Sequence, residues 1–324
     1  MSRSRWPLLL AFAGIALVAG VGFGAVAIPP ARIWAALTHR AGADSAIVLQ
    51  LRIPRVLLAF LVGGSLAVCG AVLQALIRNP LADPYLLGLS GGAALGAVLV
   101  LALGMTASWS LPAAAFAGAI AVLGLVYRLS LVEGRRLDSN VLLLAGVVAS
   151  AFTGALVSAI LVLTEAARLR SAYLWLLGGF GLASWETVGV FAAYAAVPLG
   201  LLLFRARSFD LLSLGDETAR HLGADPERLK RLAYVATGLL TAAAVAACGM
   251  IGFVGLVVPH AIRRLWGPLH TALLPSAFVL GGAFLVLADA LARSIAPPVE
   301  LPVGVVTALV GVPLFAVLLR RSLA

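Results

Sequence analysis

Long stretches without a charged residue restrict the fold of this sequence more than any other feature. The runs are Trp6–Ala31, Val56–Ile77, Pro84–Tyr127, Ser139–Thr164, Thr187–Phe204, Leu232–Ile262, Leu265–Ala288 and Leu301–Leu319. A helix that crosses a bilayer core needs about 20 apolar residues, and backbone groups in lipid must pair within the protein. A membrane barrel would show alternating strands of about ten residues, and the sequence has none. The runs therefore predict transmembrane helices.

The overall composition agrees with a chain that lies in lipid. Of its 324 residues, 62% are hydrophobic and 11% are charged, with a mean hydropathy of +1.09. In soluble domains, roughly a quarter of all residues are charged. In a soluble protein, the net charge of +10 would indicate that the protein binds nucleic acid. Here the basic residues lie between the apolar runs, so we interpret them as loop charges that set topology, and we expect no nucleic-acid partner.

The number of helices follows from the run lengths and the loop charges. Pro84–Tyr127 is about two spans long, with a turn expected near Met105–Pro112. Leu232–Ile262 is either one broken helix or two helices, the second short. Ten helices with both termini in the cytoplasm place more basic residues inside than nine helices do. We therefore predict an all-α polytopic membrane protein, a single domain over residues 1–324.

Two similar segments indicate an internal repeat. Leu66–Gly70 aligns without gaps with Val245–Gly249, and Pro80 then aligns with Pro259. In the ten-helix topology these segments run in opposite directions, which predicts an inverted repeat that relates helices 2–5 to helices 7–10. Many transporters have this organisation, with the transport path between the repeats and broken helices beside it.

Three loop segments are candidates for function. The segment Gln74–Gly88, followed by Gly91 and Gly92, contains two prolines, an asparagine and glycines, typical either of an ordinary turn or of a constriction at the cytoplasmic mouth. The longest cytoplasmic loop, residues 205–231, contains a predicted short helix, Leu214–Gly223, with Ser213 as its N-cap and Gly223 as its stop. That helix is either a solvated connector or a docking element. Three extracytoplasmic arginines are either interface anchors or posts for an acidic protein, namely Arg52, Arg55 and Arg293.

Several kinds of chemistry are missing from the sequence. Lys230 is the only lysine and follows Leu229, so a Walker A phosphate loop is impossible. The sequence shows no metal-ligand cluster and no paired catalytic groups, which disfavours an intramembrane enzyme. Apart from Asp289 at an outer helix end, the spans carry no acid, which disfavours an ion-coupled secondary transporter. We expect a transport protein, not an enzyme, that draws its energy from another chain.

Five motifs, in order and spacing, resemble the FecCD family, the permease subunits of bacterial ATP-binding-cassette (ABC) importers for iron–siderophores, haem and vitamin B12. The motifs are Leu51–Arg55, Asn79–Pro84, Leu214–Asp216, Gly252–His260 and Glu300–Gly304. The resemblance covers nearly the whole chain. It implies a homodimer in the bacterial inner membrane with two cytoplasmic ATP-binding subunits and one periplasmic binding protein. It also implies that this chain binds no cofactor, because the partner ATPase uses the ATP and Mg²⁺.

The resemblance further implies roles for particular residues. It assigns Arg52, Arg55 and Arg293 to docking of the binding protein. It assigns the cytoplasmic gate to Asn79, Leu81, Ser139 and Asn140. It assigns contact with the ATPase to Leu214, Gly215, Asp216, Glu217, Ala219, Arg220, Leu222 and Gly223. As cargo it favours an iron complex, either a ferric siderophore or haem, with cobalamin as the alternative.

Overall fold

The charge-free runs of the sequence form helices in the computed structural model, which describes residues 5–39, 43–105, 107–132 and 136–323. The helices are α1 (Trp6–Gly22), α2 (Pro30–His39), α3 (Ala43–Ala46), α4 (Ile53–Ile77), α5 (Leu89–Ala102), α6 (Ser110–Leu129), α7 (Ser139–Leu163), α8 (Ala166–Leu176), α9 (Trp185–Phe204), α10 (Ala206–Ser213), α11 (Asp216–His221), α12 (Pro226–Cys248), α13 (Val254–Trp266), α14 (His270–Ser294) and α15 (Val303–Leu323). The sheet found in these ranges is one antiparallel pairing of β1 (Leu131–Val132) with β2 (Arg136–Leu137). The all-α prediction is confirmed.

Six helical segments in the described ranges are long and apolar enough to cross a membrane. One of them is continuous from Ile47 to Ile77, because a π-helical turn (Ile47–Arg52) joins α3 to α4. Three more apolar helices are shorter: α1, α5 and the part of α15 up to Val317. With α13, these segments correspond in order to the ten predicted spans. The number of helices that cross the membrane, and the cytoplasmic position of both termini, stay predictions.

The segment Leu232–Ile262, left open by the sequence, contains a break between two helices. Helix α12 ends at Cys248, and Gly249 follows with a φ of 71°. Phe253 also has a positive φ, 70°, immediately before α13 begins. Left-handed backbone ends a right-handed helix, and a bulky residue rarely adopts it. The chain therefore turns sharply between α12 and the short α13.

Helix α4 lies at the centre of the bundle. Within its most apolar window, 83% of the residues are buried, against 22% in α7. Its neighbours include α12, α13 and α14, and small residues let two of them approach closely. Gly63 lies against Gly281 of α14 and Gly70 against Gly255 of α13, with no space for a Cβ atom at either contact. Backbones in membrane bundles approach in this way where both helices present small residues.

The directions of α4 and α12 agree with an inverted relation between the two halves. The end of α4 and the start of α12 lie at the same end of the bundle, because both contact the segment that leads into α7. Each half consists of one long helix, one short helix and two more long helices, from α4 to α7 and from α12 to α15. The gapless alignment does not follow the structure, since Leu66–Gly70 lies within α4 whereas Val245–Gly249 ends α12. The repeat itself stays a prediction.

Candidate coupling and gating sites

The predicted gate residues lie where α4 ends and α7 begins. Arg78 adopts a φ of 54° and ends α4. The Asn79 side-chain oxygen then accepts a hydrogen bond of 2.9 Å from the backbone N–H of Leu81. This local turn leaves the Leu81 side chain 40% exposed. An asparagine that bonds to its own backbone two residues on is typical of tight turns, and here it presents an apolar side chain at the end of the bundle.

The first turn of α7 is attached to the last turn of α4. Asp138 caps α7 by accepting bonds of 2.9 Å from the backbone N–H groups of Asn140 and Val141. The hydroxyl of Ser139 donates to the carbonyl oxygen of Leu76 at 3.1 Å, while Asn140 is exposed. The structure thus brings the Asn79 turn and the Ser139 end of α7 together. The role of these residues as a gate stays a prediction.

A polar network links the Asn79–Gly88 loop to the break before α13. The Tyr85 hydroxyl donates to the carbonyl oxygen of Ile251 at 3.0 Å and accepts from its N–H at 2.9 Å. One helical turn before the end of α4, Gln74 donates to the Gly255 carbonyl at 3.1 Å and accepts from Arg263. The Tyr85 bonds satisfy the backbone groups of Ile251 in the helix break. The Gln74 bond satisfies the Gly255 carbonyl, which has no helical donor because residue 259 is a proline. The two Pro- and Gly-interrupted segments therefore pack as one unit.

The same loop contains a buried carboxyl group at Asp83. Its side chain accepts a bond of 2.9 Å from the Tyr85 N–H. Burial raises the pKa of Asp83 to about 6, and the bond from Tyr85 opposes this shift. Sequence reasoning did not single out Gln74, Asp83 or Tyr85 for these contacts. A polar residue in the last turn of an otherwise apolar helix was the available signal for Gln74.

The predicted docking helix is shorter than expected and is preceded by a helix that the sequence interpretation missed. Helix α11 covers Asp216–His221, with Gly215 as its N-cap residue at a φ of 102°. The prediction of Ser213 as the N-cap was wrong, because Ser213 is the last residue of α10 and donates to the Phe209 carbonyl. Gly223 follows the C-cap residue Leu222 and has a φ of 82°, as its predicted role as a stop requires.

Residues 205–231 are called the coupling segment below, and helix α10 fixes this segment to the bundle. Its buried residues Ala206, Phe209 and Leu212 lie three apart on one face, and the helix packs on α4 and α14. Asp210 accepts a bond of 2.8 Å from the backbone N–H of His270 and lies 2.7 Å from the His270 ring nitrogen Nδ1. It thereby caps the first turn of α14. The three-residue spacing of Ala206, Phe209 and Leu212 was the signal in the sequence for this helix.

Helix α11 is attached by one face and exposed on the other. Ala219 is fully buried, and Lys230 of α12, with a side chain only 6% exposed, forms an ion pair with Asp216. In contrast, the residues that flank the helix are exposed: Leu214, which precedes the N-cap, by 60%, and Leu222, which follows the last turn, by 57%. Glu217, Arg220 and Gly223 are exposed as well. The role of this segment as a docking element stays a prediction.

The three arginines predicted on the outer side have partners within the protein. Arg52 is buried and donates to the carbonyl oxygens of Val21, Gly22 and Val26. Arg293 is also buried and donates at 2.8 Å to the carbonyls of Gly20 and Phe23. The two guanidinium groups thus pair with carbonyl oxygens in and just after the last turn of α1, which lack helical partners. In this structure they hold α1 in place, and docking stays a prediction.

Asp289 lies between Arg55 and Arg293 and is fully buried. Its oxygens are 2.8 Å from Arg55 Nη2 and 2.9 Å from Arg293 Nε. Arg55 also contacts Glu300 at 2.9 Å, whose side chain is 44% exposed. A buried carboxylate is tolerated when cations and hydrogen bonds surround it. The one acid that the sequence places in a span is therefore part of a structural ion cluster.

Comparison with known proteins agrees with this arrangement of helices. A solved structure described as an inward-facing conformation of a metal-chelate-type ABC transporter superposes with a TM-score of 0.87 over 97% of both chains, at 32% identity. The hemin transport system permease protein of Yersinia pestis is 40% identical over 99% of this chain and 97% of its own length. The cobalamin import system permease protein of Halobacterium salinarum is 44% identical over 85% of this chain and 73% of its own length.

A bundle of apolar helices with a short helix-containing loop at one end and an ion cluster at the other is thus the architecture of a permease of a type II ABC importer. The two relatives are named as permeases for different cargoes, so their names do not settle the cargo of this chain. The chain belongs to the FecCD transport family, whose family model matches residues 9–321.

Proposed function

We propose that this chain imports an iron complex, a ferric siderophore or haem, across the bacterial inner membrane. It does so as a homodimer with two ATP-binding subunits that use ATP and Mg²⁺ on the cytoplasmic side. One periplasmic binding protein delivers the cargo on the outer side. The observation that carries this proposal is the coupling segment, which has exposed leucines on either side of α11 and internal bonds to α12 and α14.

The coupling segment has the properties of a transmitting contact. Its exposed surface presents Leu214 and Leu222 to a partner. Burying such a side chain contributes roughly 1.5–3 kcal/mol of favourable free energy. Its inner surface is attached through Asp216 to α12 and through Asp210 to α14. A force applied to α11 by an ATPase subunit would therefore move membrane helices and not only a loop.

We expect the double substitution of Leu214→Ser and Leu222→Ser to weaken ATPase binding at least tenfold, because it removes two leucine contacts. The measurement is co-purification with the ATPase subunit, together with ATPase stimulation by the binding protein. Leu265→Ser is the matched control, since Leu265 is 50% exposed at the end of α13, outside the segment. Binding of the double variant at the strength of the Leu265→Ser variant would contradict the assignment.

The gate in this proposal is the junction of the Asn79 turn with the start of α7. Leu81 and Asn140 are exposed there. Asn79 orders its own turn by accepting from the Leu81 N–H, and Ser139 joins α7 to α4 by donating to the Leu76 carbonyl. On the outer side, the surface around Arg55 and Glu300 receives the binding protein. The Arg55 side chain is 14% exposed at that surface. Arg52 and Arg293 are buried beneath it.

The cargo is the part of the proposal that an uptake assay decides. We expect proteoliposomes that contain the permease, its ATPase and its loaded binding protein to accumulate haem or a ferric siderophore when ATP is supplied. The relative named for hemin is similar along its full length, which supports an iron complex. ATP-driven uptake of cobalamin alone would favour the second candidate, which the 44% identity to the cobalamin permease supports. Uptake driven by an ion gradient without ATP would overturn both.

A further inference from the structure

Glu227 in the first turn of α12 contacts two elements that are distant in sequence. Its oxygen Oε2 accepts a hydrogen bond of 3.0 Å from the backbone N–H of Leu137, in the short strand before α7. Its other oxygen, Oε1, lies 3.9 Å from Nη2 of Arg220 on α11. The Glu227 side chain is 20% exposed and that of Arg220 is 47% exposed. One carboxylate thus joins the exposed docking helix to the segment that leads into the gate.

The contacts continue on both sides of Glu227. Leu137 is followed by Asp138, which caps α7, and by Ser139, which bonds to the last turn of α4. On the other side, the Lys230–Asp216 pair attaches α11 to the same helix that carries Glu227. The direct contacts therefore run from α11 through the first turn of α12 to the start of α7.

We propose that Glu227 is a positioning residue that makes α11 and the start of α7 move together, so that ATPase motion reaches the gate. This inference rests on the proposed function. The hydrogen bond attaches Glu227 to the backbone at Leu137, and the charge contact attaches it to Arg220 on α11. Coupling between two sites requires an element that responds to both, and Glu227 contacts both.

A purely structural role for Glu227 has a different signature. An acidic side chain in the first turn of a helix stabilises that helix through its dipole, and such a role would affect thermal stability without changing the ATP used per cargo molecule. The readout is therefore the ratio of cargo transported to ATP hydrolysed. That ratio separates transmission from simple stabilisation.

The experiment compares Glu227→Ala, Arg220→Gln and Arg228→Gln in proteoliposomes with the ATPase and the loaded binding protein. Arg228 is the matched control, because it lies in the same turn of α12, is 84% exposed and pairs only with Asp225 among the described ion pairs. We expect transport per ATP to fall about three- to tenfold in Glu227→Ala, to fall less in Arg220→Gln, and to stay unchanged in Arg228→Gln.

The outcomes separate this inference from the proposed function. If the unmodified complex shows no ATP-driven uptake, the proposed function fails. If it transports and Glu227→Ala keeps its ratio of transport to ATP hydrolysis, the role of Glu227 is overturned. Should Glu227→Ala not fold, Glu227→Gln decides, since its amide oxygen can still accept from the Leu137 N–H while the charge contact with Arg220 is lost. An unchanged ratio there overturns the inference.

Discussion

Replacing Asp289 by alanine is expected to lower the free energy of unfolding by about 3–5 kcal/mol, the usual cost of removing one partner from a buried ion pair. The carboxylate lies between Arg55 and Arg293, and its loss would leave two guanidinium groups facing each other in a buried site. The measurement is the thermal unfolding midpoint of the purified protein in detergent micelles, compared with the unsubstituted chain.

Glu300→Gln provides the matched control for Asp289. Glu300 contacts the same Arg55 side chain, but it is 44% exposed, and exposed ion pairs contribute about 0–1 kcal/mol. We expect a large shift of the midpoint for Asp289→Ala and a small one for Glu300→Gln. Equal shifts would show that burial of the cluster does not determine its contribution to stability.

Gly70→Ala is expected to destabilise the protein by about 1–3 kcal/mol, as overpacking does in a close-packed interior. A Cβ atom at Gly70 would overlap the backbone of Gly255, so α13 would have to move away from α4. That movement would also stretch the bond from Gln74 to the Gly255 carbonyl. The midpoint of thermal unfolding and ATP-driven uptake both measure the effect, and both should fall.

Gly124→Ala is the control for Gly70 and should act in the opposite direction. Gly124 lies within α6, and a Cβ atom there would have nothing within 4 Å. Alanine is favoured over glycine inside a helix by roughly 0.5–1 kcal/mol. A loss of stability for Gly124→Ala as large as that for Gly70→Ala would contradict the close α4–α13 contact.

The membrane helices could be predicted from the sequence because lipid leaves an apolar chain few alternatives. The break at Gly249–Phe253 was open from the sequence, which shows glycines there but not which backbone turns. Helix α10 was missed, since Arg205 and Arg207 make its start look like a charged connector, although Phe209 and Leu212 are buried. Leu212 is buried and α10 continues through Ser213. Ser213, which the sequence predicted as the N-cap of the docking helix, therefore belongs to α10.

The candidate sites were predictable as segments but not as contacts. The sequence placed Asp289 at an outer helix end, and only folding brings Arg55, 234 positions away, onto its carboxylate. The same holds for Glu227, which accepts from an N–H group 90 positions away. A single sequence shows which charges lie near a membrane boundary. It does not show whether their side chains point into the protein or outward.

The bonds at the end of α1 also set an order for assembly in the membrane. Helix α1 is synthesised before α4, and Arg52 can bond to its Val21 and Gly22 carbonyls once the turn before α4 has been synthesised. The bond from Arg293 to the Gly20 carbonyl spans 273 positions. That bond can form only after Arg293 has been synthesised. The attachment of α1 therefore begins with Arg52 and is complete only after α14 has entered the bilayer.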